Sequence, residues 1–275
     1  MNIVYVLALS VPAAAVLGLA CMALRILHRH FKRRRLLGLG LNAEQAEILR
    51  LHVPLYRVLP DELKQQLHGL INVFLSEKRF IGCGGQPITE IIRLTTAGQA
   101  CMLLLNRKTR FFGHLRTIYV YPDTYVAHCL ETDGMLMVEG RSVRLGESWH
   151  RGPVVLAWND VQRGARDMHD GFNVVLHEFA HQLDQENGDV NGTPVLKTEQ
   201  DYARWQQVFE AEFRRLERFG RRCVLDAYAF EDPAEFFAVA TETFFEKPAD
   251  LSAQAPDVYD QLKKYYKVNP IEWYG

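Results

Sequence analysis

Gly171-Phe172-Asn173-Val174-Val175-Leu176-His177-Glu178-Phe179-Ala180-His181-Gln182-Leu183-Asp184 is the stretch on which the reading of this chain turns. Its apolar run leads into and through an HExxH pentapeptide, a pattern that suits a buried helix. His177 and His181 stand four residues apart and so share one helical face, where both imidazoles reach a single tetrahedral metal ion. Glu178, beside the first histidine, is placed to take a proton from a metal-activated water. Two satisfied core histidines would leave the same letters. The chemistry therefore depends on a third ligand elsewhere in the chain.

In the metzincin pattern a glycine and a third histidine follow at fixed offsets. Asp184 and Asn187 occupy those places here, which excludes that class. The other common arrangement draws a carboxylate from a second, downstream helix. Asp232-Pro233-Ala234-Glu235-Phe236-Phe237-Ala238-Val239-Ala240-Thr241-Glu242 offers one. Asp232 reads as the N-cap and Pro233 as the first helical residue, so Glu235 falls in the first turn. Asp-x-x-Glu is also a capping box, in which Glu235 merely ties down its own helix. Yet the helix is otherwise apolar on most sides, and a carboxylate against such a core needs a partner. Glu242, two turns on along much the same face, is the alternative ligand or an acceptor behind the ligands; the spacing favours Glu235.

The chain has 275 residues, 48% hydrophobic and 24% charged, which is the profile of a globular protein with ample core. Lys and Arg number 32 against 33 Asp and Glu, a net charge of -1 that gives no basic field for nucleic acid. Cys21, Cys83, Cys101, Cys129 and Cys223 form no CxxC pair and no disulfide framework, so they read as buried or free thiols in a reducing compartment. Ile3 to Leu24 carries no ionisable charge and is long enough to cross a bilayer. Arg25, Arg29, Lys32, Arg33, Arg34 and Arg35 follow it, a cluster that stays on the cytoplasmic side. Met1-Asn2 lacks the positive charge that a cleaved signal wants. The expectation is a single-pass anchor and basic segment over 1–35, in the inner membrane, with a cytoplasmic domain over 36–275.

Within that domain Leu36 to Leu41 reads as a linker and Asn42 as the N-cap of a helix over 43–52. Pro60-Asp61-Glu62 opens a helix through Glu77, with Leu63, Leu67, Leu70, Ile71, Phe74 and Leu75 at helical spacing. A turn at 82–87 precedes a further helix over 88–105. Residues 117–121, 135–138 and 153–158 are short β-rich runs bounded by Pro, Asp and Gly. Helices then return over the HExxH stretch, 199–219, 233–245 and 256–267. The fold class is α+β: a mostly helical, zincin-like domain around a small β-sheet.

Tyr228-Ala229-Phe230-Glu231-Asp232-Pro233-Ala234-Glu235-Phe236-Phe237-Ala238, taken with His177 to Asp184, resembles the Mlc titration factor A family of zinc-dependent peptidases. That family is itself similar to the catalytic domain of anthrax lethal factor. Blocks at 74–80, 99–105, 119–122 and 152–158 extend the resemblance over roughly 41–270. It implies one zinc ion on His177, His181 and Glu235, with Glu178 as general base. It also implies that Tyr228 hydrogen-bonds the oxyanion of the tetrahedral intermediate. Asp184, one turn below His181, is expected to accept the spare imidazole N–H and fix its tautomer. The implied activity is peptide hydrolysis, with Pro153 to Trp158 as the strand beside a peptide or protein substrate. Aminopeptidase and endopeptidase action both fit. A membrane-tethered protein that sequesters a transcriptional repressor of the Mlc kind is the alternative. The anchor is a departure from the family pattern.

Overall fold

The structure is a computed structural model that describes residues 3–123, 153–219 and 223–274, without the side chains of 3–17, 217 and 219. The first half of the chain is α1 (Ile3–Leu37), α2 (Ala43–His52), α3 (Pro54–Val58), α4 (Asp61–Glu77), β1 (Arg79–Gly82), α5 (Glu90–Met102) and β2 (Thr117–Tyr121). The second half is β3 (Val154–Ala157), α6 (Trp158–Gly164), α7 (Val174–Asp184), α8 (Glu199–Phe219), α9 (Pro233–Glu246), α10 (Pro248–Gln254) and α11 (Pro256–Tyr266). The three strands form one parallel sheet in the order β1-β2-β3, with Phe80 opposite Ile118 and Ile118 opposite Val154. Mostly helical with a small sheet, this is the expected α+β architecture. The β-rich run at 135–138 lies outside the described residues.

Local chemistry explains most boundaries. Asn42 caps α2 in a full capping box with Gln45, and Thr89 caps α5 through Ile92 N–H. The Thr89 cap starts α5 two residues later than the sequence suggested, and 103–105 leave it as turns. Trp158, expected at the end of a strand, instead opens α6. β1 was not anticipated: Arg79, Phe80, Ile81 and Gly82 run exposed, half-buried, half-buried, exposed, with no alternation to read.

α1 does not stop at a linker but continues through Leu37 and packs on α4. A β-carbon at Gly69 would overlap the Leu37 backbone, so only glycine permits this approach. Arg29 and Arg33 both make paired hydrogen bonds to Glu77, at 2.6 to 3.1 Å. Two members of the basic cluster are thus spent on the domain itself. Leu19, Met22, Leu24, Ile26, Leu27 and Phe31 are exposed on the helix before that contact. No helix among the described residues is long and apolar enough to cross a membrane, so the structure lends no support to the transmembrane anchor. The side chains of 3–17, most of that stretch, lie outside the described residues.

The core is continuous beneath α7. Phe179 is fully buried, with its ring 4.8 Å from Phe112 and 5.6 Å from Phe74. Phe111 and Phe112 both take left-handed backbone conformations (φ 58° and 50°), a costly choice for bulky residues. Buried Lys78 offsets it by donating to the carbonyls of Phe112 (2.6 Å) and Leu115 (2.9 Å). Burial pulls the Lys78 pKa down to about 8. α9 is buried from Ala234 to Glu246 and lies against α7.

Candidate metal centre

α7 and α9 bring three ligand atoms together. Asn173 caps α7 by accepting from Leu176 N–H, which sets the helix so that His177 and His181 point the same way. Asp232 caps α9 through Ala234 and Glu235 N–H, and Pro233 fills the first helical position. Glu235 does not fold back as a capping-box side chain. Its Oε2 lies 3.0 Å from His177 Nε2 and 3.4 Å from His181 Nε2, and the two nitrogens are 3.2 Å apart. Ligands held at about 2.0–2.1 Å by a tetrahedral ion are spaced about 3.3–3.4 Å from one another, close to the observed triangle.

The donor chemistry fits a cation as well. His177 Nδ1 meets Glu242 Oε1 at 2.8 Å, so Nδ1 donates to that carboxylate and Nε2 is the nitrogen that faces His181 and Glu235. Glu235 Oε2 is buried and makes no hydrogen bond of acceptable geometry. Ligand atoms of His177, His181 and Glu235 therefore converge, and this trio is the group that could hold a metal ion among the described residues. Burial lowers the His177 pKa, but the charge of Glu242, the close approach of Glu235 and the hydrogen bond to Glu242 more than reverse this and raise it to about 10. Burial likewise pushes the Glu235 carboxyl up, and the two histidines overcome that and hold it at about 2. A metal entering here displaces protons.

Glu178 is half-buried, and desolvation raises its pKa against the pull of His177 and His181. Tyr228 sits in a short 3-10 turn (Ala227–Phe230) capped by Asp226, with its ring centroid 5.9 Å from that of His177. Glu242, read as alternative ligand or rear acceptor, is the acceptor. Asp184 departs from expectation. No hydrogen bond joins it to His181, whose Nδ1 is buried and unpartnered. Asp184 Oδ2 instead accepts from Gly192 N–H at 2.8 Å. Gly192 (φ 72°) packs on Pro233, and its carbonyl accepts from Trp205 Nε1 at 3.0 Å. Asp184 thus fastens the C-terminal end of α7, through a loop, to the start of the helix that carries Glu235. The wrong partner was expected because a loop residue eight positions away leaves no periodic signal.

Glu246 and Asn173 were not singled out from sequence. Asn173 Nδ2 donates to Glu246 Oε1 at 3.0 Å, and Asn173 N–H donates to Glu242 Oε2 at 2.5 Å. Their signals were present, an Asn directly before an apolar helical run and a Glu one turn beyond Glu242 on an apolar helix. β3 ends the sheet among the described residues and touches α7, the helix that carries His177 and His181.

The chain is similar in sequence to known proteins. The chain is 41% identical over 229 residues to an uncharacterized protein of Synechocystis sp., covering 82% of this chain and 83% of that one. It is 32% identical over 244 residues to proteins named Mlc titration factor A from Yersinia pestis and Yersinia pseudotuberculosis, covering 84% of this chain and 88% of theirs. The sequence model for the glucose-regulated metallo-peptidase M90 family matches residues 28–267, a span that takes in α7, α9 and all three strands. The chain belongs to the glucose-regulated metallo-peptidase M90 family.

Proposed function

We propose that this protein is a zinc-dependent peptidase whose ligands are His177, His181 and Glu235. The observation that carries the reading is the convergence of three ligand residues, two of them buried, with a half-buried carboxylate beside them. Bound there, zinc supplies a Lewis acid that polarises a carbonyl and lowers the pKa of water toward neutrality. A site with three protein ligands keeps a coordination position open, as a catalytic site does and a structural one does not. Glu178 takes the proton from the attacking water and delivers it to the leaving amine. Its raised pKa suits both halves of that cycle. Tyr228, beside the His177 ring, donates to the developing oxyanion. Glu242 keeps His177 in the tautomer that leaves Nε2 free. β3 offers backbone groups along which an extended peptide can align.

The membrane tether belongs to the same proposal and rests on sequence, the uncharged run from Ile3 to Leu24 and the basic residues after it. A second reading, sequestration of a repressor, is favoured by the name Mlc titration factor A borne by relatives. One experiment separates the two. The full-length protein, purified in detergent, is incubated with a broad peptide library, then stripped with a chelator and reloaded with zinc. The peptidase reading expects cleavage that stops on chelation and returns with zinc. A protein that holds zinc and cleaves nothing supports the binding reading.

A further inference from the structure

α7 supplies two ligands and α9 the third, so the register between these helices sets the site. Asn173 makes three contacts from one position. Its side-chain oxygen accepts from Leu176 N–H at 3.0 Å, its backbone N–H donates to Glu242 Oε2, and its amide nitrogen donates to Glu246 Oε1. Asn173, Glu242 and Glu246 are all buried, Glu246 at 1% exposure. Glu242 then uses its other oxygen on His177 Nδ1.

Resting on the zinc reading above, we propose that Asn173 and Glu246 are positioning residues that lock Glu242 onto His177 and so aim Nε2 at the metal. The amide explains the lock. With Nδ2 held by Glu246, Oδ1 faces the first turn of α7, and the backbone N–H of the same residue is turned toward Glu242. One Glu242 oxygen is thereby pinned, which leaves the carboxylate a single rotation in which its second oxygen meets the imidazole. A carboxylate pinned at one oxygen by Asn173 keeps its second oxygen at His177 Nδ1. Burial pushes the Glu246 carboxyl well above the usual range, against the pull of the Asn173 hydrogen bond. A glutamine keeps a side-chain oxygen to accept from Asn173 Nδ2 and is its faithful substitute. Residues behind a metal-binding histidine set its basicity and orientation, and their loss weakens metal affinity about 10- to 100-fold.

The test uses the full-length protein and reads Zn2+ affinity by competition with a chromophoric chelator. The absorption bands of the Co2+-loaded protein and the melting temperature of the metal-stripped protein are read beside it. Asn173→Ser retains an oxygen that caps α7 and the backbone N–H, and removes only the arm to Glu246. Glu246→Leu removes the acceptor, and Glu246→Gln keeps it. The proposal expects Asn173→Ser and Glu246→Leu to weaken Zn2+ binding about 10-fold or more and to shift the Co2+ bands. It expects Glu246→Gln to restore both to the parent's values. Unchanged affinity and spectrum in Asn173→Ser and Glu246→Leu overturn it, whatever happens to the melting temperature, because a purely structural contact moves only the melt. A parent protein that takes up neither Zn2+ nor Co2+ overturns the zinc reading first, before any variant is compared.

Discussion

Gly192→Ala is the substitution whose consequence the structure specifies most fully. A left-handed backbone at φ 72° penalises any β-carbon by about 1–2 kcal/mol. The new carbon would also sit 2.6 Å from the carbonyl carbon of Pro233 and closer still to its oxygen. Neither the loop nor the first turn of α9 can keep its place. The bonds from Gly192 N–H to Asp184 and from Trp205 Nε1 to the Gly192 carbonyl are put at risk, at about 0.5–1.5 kcal/mol each and more for the carboxylate. The sum is a loss of about 3–5 kcal/mol, a large part of the stability of an ordinary domain. Because Pro233 lies two residues before Glu235, zinc affinity should fall with it. Gly188 supplies the control: its φ is 105°, but a β-carbon there meets nothing within 4 Å. Gly188→Ala therefore carries the backbone term alone. Urea unfolding of the metal-stripped proteins, followed by far-UV circular dichroism, measures both. Equal and small losses in the two variants, with zinc affinity unchanged in each, would refute the claim that this loop is wedged against α9.

Two further substitutions test the frame around the site. Phe179→Ala empties a fully buried position between Phe74 and Phe112 and should cost about 3–5 kcal/mol in the same unfolding assay. Glu77 is pushed up by burial but held at about 2, against an ordinary 4.5, by Arg33 and Arg29. Its folded-state pKa is depressed, so its stabilisation is complete above about pH 4.5 and vanishes as pH falls through 2. Glu77→Gln should cost about 1–3 kcal/mol near neutral pH, allowing for the half-exposed Arg29. The gap in melting temperature between parent and variant should close between pH 4.5 and 2. A gap that stays constant over that range contradicts the ion-pair account.

The helices that build the site were legible because their signals are local. The HExxH spacing, the Asp232-Pro233 start and the apolar run of α9 each sit within a few residues, and capping chemistry fixes where such helices begin. Glu235 was legible as a carboxylate that an apolar helix could not leave unpartnered. What was not legible depends on contacts between distant segments. Asp184 bonds Gly192 and not His181 because a loop returns to it, and nothing in the HExxH stretch encodes that return. Asn173 reads locally as a cap, and its bonds to Glu242 and Glu246 cross about seventy residues of chain. β1 was missed because four residues that run exposed, half-buried, half-buried, exposed carry no period. α1 was read as ending in a linker because its grip on α4 resides in Gly69 and Glu77, far along the sequence.

The zinc content and peptide turnover of Glu178→Gln, measured on one preparation, test the central claim most directly. Glu178 is not among the three ligand residues, and glutamine preserves its shape while removing its capacity to take a proton. The account predicts one zinc ion per chain in parent and variant alike, with turnover lost by a factor of about 100 or more in the variant. A variant that keeps its zinc and hydrolyses peptides as fast as the parent contradicts it.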